Sequence, residues 1–137
     1  MLVARRFITK ALTVASVAVL ATGCGSGSDG PLAPFQPQVT NATDSFGSQA
    51  TGVNGVSGTL NYTWVNTGTR ATINHSTTTS GGRVLLTIRD AANTVVYSRA
   101  LSPSLNEPTV VGTSGNWTIQ LTTENYSGTM NYRVQKL

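Results

Sequence analysis

Cysteine, histidine and carboxylate are all scarce in this chain of 137 residues, which holds one cysteine, one histidine and five Asp or Glu residues. With Cys24 alone there is no intrachain disulfide framework, and Cys24 with His75 is too little for a side-chain zinc site. Charge is thin as well, at 10% of residues. Of the nine basic residues, Arg5, Arg6 and Lys10 crowd the N-terminus; the other six nearly balance Asp29, Asp44, Asp90, Glu107 and Glu124. Of the formal charge of +4, +3 therefore belongs to the first ten residues, and the rest lacks the basic stripe that a nucleic-acid binder uses to displace counterions. Long apolar runs are missing too. Residues 11–21 carry no charge, but a stretch that short does not span a bilayer as a helix.

What is present at the N-terminus reads as an address. A basic segment is followed by an apolar run of signal-peptide length, which closes on Leu20-Ala-Thr-Gly-Cys24. Small residues before a cysteine without a disulfide partner resemble the lipobox of bacterial lipoproteins. That resemblance implies cleavage of residues 1–23, a diacylglyceryl group on the Cys24 sulfur and an acyl chain, typically palmitate, on the new amino group. The match is good at Gly23 and Cys24, and Ala21 stands where leucine is commoner. In a Gram-negative host, Gly25 after the cysteine implies sorting to the outer membrane. Two or three acyl chains anchor a protein stably, at about 0.8 kcal/mol per buried methylene. The competing reading is an ordinary secretory leader followed by a chance thiol.

Residues 24–43 read as a tether, Gly/Ser-rich at first and then proline-rich from Pro31 to Pro37. Phe35 is the one side chain in it that could dock on a domain. From Asp44 to the end the period of the apolar residues is two, without a helical window. Leu60, Tyr62 and Trp64 share one strand face; so do Val84, Leu86 and Ile88, then Trp117, Ile119 and Leu121, then Met130, Tyr132 and Val134. Together with Ile73 these form the expected core. A leading strand around Phe46, strands at 70–77, 94–101 and 109–112, and turns at 52–58, 66–69, 90–93 and 124–128 bring the count to about eight. Residues 76–82 and 102–108 read as loops. The expectation is an all-β domain over residues 44–137, an antiparallel two-sheet sandwich of jelly-roll-like form.

Three segments, residues 82–97, 112–121 and 126–134, resemble the bacterial pre-peptidase C-terminal domain. The shared pattern is a strand, an aspartate turn and a second strand, followed by a Gly-x-aromatic strand and a closing hairpin. The resemblance covers residues 59 to 137 and implies a sandwich of the kind appended to secreted enzymes. Members often carry acidic clusters suited to calcium; here only Asp90 and Glu107 fall in the comparable region.

Catalytic chemistry has little to stand on. A Ser-His-Asp triad would have to use His75 with Asp44 or Asp90, and no serine has nucleophile-elbow spacing. Paired carboxylates for glycoside hydrolysis would have to come from Asp44, Asp90, Glu107 and Glu124, each of which sits at a turn or loop. Asp90 in particular can accept hydrogen bonds from turn amides two residues on. Residues 52–58 lack the lysine and the helix of a phosphate cradle. The chain is thus expected to be a non-catalytic envelope protein without metal or cofactor, held to the membrane by lipid at Cys24. Its domain would act as a structural or protein-interaction module. The alternative is a carbohydrate-binding module in which Tyr97 and Tyr126, placed outside the core, stack on sugar rings.

Overall fold

Alternating burial makes strands, but not as many as the turn residues suggest. The computed structural model describes residues 30–137. It contains a short 3-10 segment, η1 (Gly30–Phe35), then β1 (Gln38–Ala42), β2 (Ser45–Asn66), β3 (Ala71–His75), β4 (Thr78–Arg89), β5 (Val95–Ala100), β6 (Leu105–Pro108) and β7 (Gly115–Lys136). All pairings are antiparallel. The sheet has seven strands in the order β1-β2-β7-β3-β6, with β4 also on β7 and β5 on β4. The architecture is an all-β sandwich made by folding one continuous sheet over on itself, without closure into a barrel.

Two strands make the fold possible. β2 and β7 have 22 residues each, where about five or six are usual. Drawn straight they would reach about 70 Å, far beyond a domain of this size, whose radius of gyration is about 13 Å. They bend instead, and the β2–β7 register shifts between Ala50 and Val53, between Val53 and Val56 and between Val56 and Gly58. β4 shifts against β7 at the same level, around Gly81. Before the bend β2 pairs with β1; beyond it, residues 58–66 pair with residues 115–123 of β7. The two ends of β2 then meet, where the Asp44 amide donates to the Val65 carbonyl at 2.9 Å.

Two expected turns, at 52–58 and 124–128, are thus bulged bends within single strands. Glycines and Asn125 at positive φ supply the extra twist there. The expected strand at 109–112 is replaced by β6 just before it, and residues 78–82, expected as loop, extend β4. Seven strands result, two of them running through both layers.

One layer holds β5, the second half of β4, the first half of β7 and the second half of β2. The other holds β1, the first half of β2, the second half of β7, β3 and β6. Between them lies the core, in which every residue named from the sequence is buried except Tyr62. Tyr62 is half-buried, with its ring 5.2 Å from Phe46 of the facing layer. Trp64 and Trp117 meet edge to face at 5.8 Å, the arrangement the ring quadrupoles favour.

The open sides of the sandwich are closed by different means. On one side η1 puts Leu32 into the core at 0% exposure and packs Phe35 against it. Trp64 Nε1 donates to the Ala42 carbonyl there at 3.0 Å. On the other side Arg99 of β5 reaches Glu107 of β6 at 3.2 Å. The expected tether at 24–43 therefore ends at Gly30 over the described residues. Pro31 to Phe35 form a plug and Gln38–Ala42 an edge strand, because Leu32 fills apolar space that two bent layers leave uncovered. Residues 24–29 lie outside the described residues.

Candidate functional site

The sequence-derived candidates mostly turn out to be structural. Tyr126 is fully buried, and its hydroxyl donates to the Thr78 carbonyl at 2.9 Å, tying β7 to β4 at the bend. Tyr97 is 7% exposed, and burial together with the neighbouring Glu107 carboxylate pushes its phenol pKa well up. Neither ring is available to stack on a sugar, which corrects the expectation for both. The reason is a slip in alternation. In β7 both Glu124 and Asn125 are exposed, Asn125 at a φ of 44°, so Tyr126 falls on the core phase. In β5, Val96 and Tyr97 are both buried, and the Val110 amide, which donates to the Val96 carbonyl at 3.1 Å, brings the 109–112 segment across that strand.

The carboxylates hold the fold together. Asp44 accepts from the Thr67 amide and hydroxyl and from Lys136 Nζ, each at 2.8 Å, and these bonds bring its pKa down to about 2. Asp90 accepts from the amides of Ala92, Thr94 and Thr113 at 3.0, 2.8 and 2.7 Å. It does stabilise the β4–β5 turn as expected, and it also ties that turn to the segment before β7. Glu124 takes a two-pronged bond from Arg83, both contacts at 2.7 Å. Among the described residues no three His, Cys, Asp or Glu side chains are grouped to hold a metal ion.

His75, the one histidine on which a triad could have been built, is 2% exposed. It faces the core at the end of β3, beside Tyr132 in register. Burial lowers its pKa from the usual 6.5, against the pull of Glu107 and the Leu101 backbone. The folded state therefore binds fewer protons than the unfolded chain between the two pKa values, and stability must rise with pH across that window. Thermal unfolding is expected to be flat above about pH 7.5 and to move to lower temperature on acidification from pH 7 to 5. His75→Leu should flatten that slope; a slope unchanged in the variant would assign it elsewhere.

The remaining feature is the outer face of the second layer. Cross-strand register lines up Thr40, Gly47, Arg133, Asn74 and Asn106 in one row across all five strands. Gln38, Gln49 and Asn131 form the row on one side of it. On the other side Ser45, Gln135 and Thr72 are aligned. Five strands about 4.8 Å apart make this face roughly 19 Å wide. Three shallow depressions, of about 310, 210 and 230 Å³, share Arg133 in their linings. Gly47 leaves the space beside Arg133 open, since even a β-carbon there would lie 3.8 Å from the arginine stem.

No family model matches this chain, and no curated protein matches it.

The two outer faces differ in how their polar side chains are used. On the first layer they satisfy one another: Thr59 with Thr122, Gln120 with Asn61, Thr87 with Ser98, and Arg83 with Glu124. On the second, among the described residues, the side chains of the three rows make no hydrogen bond or ion pair within the protein. Arg133 stands exposed and unpaired at the centre of six amide side chains, on a face without a carboxylate. Alternation with Met130, Tyr132 and Val134 puts Asn131, Arg133 and Gln135 on the opposite, outward face, but the sequence does not show which strands lie beside them.

Proposed function

We propose that this chain is a lipid-anchored, non-catalytic cell-envelope protein whose sandwich domain serves as an interaction module. The observation that carries the interaction part is the Arg133 face, whose polar groups are left open for a partner while those of the opposite face are paired internally. The leader ending in Gly23 and Cys24 supports the anchor, through its resemblance to the lipobox. The resemblance to the pre-peptidase C-terminal domain supports the same class, a sandwich accompanying exported proteins. The described residues begin at Gly30, and five residues separate it from Cys24, a reach of at most about 21 Å. An anchored domain would therefore sit close to the bilayer surface. A carbohydrate-binding module is the second reading, favoured by the amide-rich face in place of the tyrosines.

The anchor is tested by intact mass and membrane partition after expression in a bacterium. Wild type is expected to lose the mass of residues 1–23, gain acyl mass and stay with the membrane, with Cys24→Ser released to the soluble fraction. Soluble, unacylated protein in both cases would remove the anchor and leave a freely secreted module.

A further inference from the structure

We infer that the face centred on Arg133 binds an acidic polysaccharide, with the guanidinium on a carboxylate or sulfate of the sugar and the surrounding amides on its hydroxyls. This rests on the second reading above, the domain as a carbohydrate-binding module, and names its ligand class.

The chemistry follows from what the face offers and what it omits. An arginine presents a planar fork of donors that matches a carboxylate or sulfate two-pronged. Left without a partner on a face that has no carboxylate, Arg133 is free to take one from outside. Asn and Gln side chains each carry donors and an acceptor, as a sugar hydroxyl does. Asn74 and Asn131 line the depression on one side of Arg133, and Gln49 that on another. The face has no aromatic or large aliphatic side chain in its three rows, and so lacks the buried apolar anchor on which a peptide partner depends. Its depressions are wide and shallow, a shape that admits an extended polar chain lying across the strands. Gly47 opens the floor of this surface at an ordinary backbone conformation, since it is not among the glycines at positive φ.

The test uses the full-length protein in detergent micelles and affinity electrophoresis through gels containing polygalacturonate, dextran sulfate, neutral dextran or poly-glutamate. Retardation by polygalacturonate or dextran sulfate is expected, the stronger of the two identifying the anion, with little retardation by neutral dextran or poly-glutamate. Arg133→Gln should weaken the binding about tenfold, the loss of one charge-assisted pair. Gly47→Gln should weaken it too by filling the depression, without backbone strain. Arg83→Gln, on the opposite face, should leave it unchanged and serves as the control for overall charge. Equal retardation by neutral dextran would overturn the anion site, and equal retardation by poly-glutamate would overturn the sugar. Absence of binding to all four, or binding insensitive to both Arg133→Gln and Gly47→Gln, would overturn the proposal outright. None of these results touches the anchor, which is judged by mass and partition alone.

Discussion

Gly128→Ala is expected to destabilise the domain by about 3 kcal/mol or more, a large part of the 5–15 kcal/mol that typically separates folded from unfolded states. Gly128 sits at the bend of β7 with a φ of 146°, where L side chains are strained, and a β-carbon there would run into the Thr78 carbonyl of β4. That carbonyl has little room to retreat. It accepts the Tyr126 hydroxyl at 2.9 Å, and its strand is held in register by Thr79 opposite Gly128 and Thr78 opposite Thr129. Gly52→Ala is the matched comparison: its φ is 63°, but nothing lies within 4 Å of a β-carbon there, so only backbone strain of about 1–2 kcal/mol applies. Urea unfolding should give midpoints in the order wild type, Gly52→Ala, Gly128→Ala, with similar slopes. If the two variants unfold together, β4 and β7 do not cross this closely at the bend.

Leu32→Ala is expected to cost about 2–5 kcal/mol, the range for truncating a fully buried leucine whose surroundings cannot collapse. Leu32 comes from η1, outside the sheet, and is inserted where the two layers part. Gly30 lies against Leu60, and Pro31 approaches Gly58 so closely that a side chain at Gly58 would collide with its ring. A chain beginning at Pro37 should be destabilised at least as much, because it also uncovers the apolar surface under Leu32 and Phe35. Had residues 30–36 been a solvated tether, both changes would be neutral. Midpoints within error of wild type would restore that view.

The period-two alternation through Leu60, Tyr62 and Trp64 and through Trp117, Ile119 and Leu121 was enough to establish an all-β domain and a little over half of its core, without Leu32, Phe46, Val53, Tyr97 or Tyr126. A strand has two faces and only one can be apolar against the facing layer, so the inward set is legible residue by residue. Asp90 was legible for a similar reason, since a carboxylate at a turn finds its amides within a few residues. The glycines at 52, 55 and 58 do lie at positive φ, but the turn expected at 52–58 is a bend inside the continuous strand β2. Local sequence does not distinguish a turn that ends a strand from a bulge that bends it, because both need positive φ. Which of them forms depends on whether the next segment still has a partner across the sheet, and β7 supplies one for nearly the whole of β2.

The same limit applies to Tyr97, Tyr126 and Leu32. Each bulge shifts the phase of everything after it, so one extra residue at Asn125 moves Tyr126 from the surface to the core. A proline-rich stretch looks like tether until a gap between layers exists for its leucine. The open face around Arg133 is likewise a product of assembly: its amides come from strands far apart in the chain. By itself the sequence determined the class of fold, a little over half of the core and the N-terminal pattern that resembles a lipobox, all of which depend on residues close together along the chain. Only the tertiary structure decided where the two long strands bend, what plugs the open side and which polar face is left unpaired, because those depend on partners that the chain brings together only when it folds.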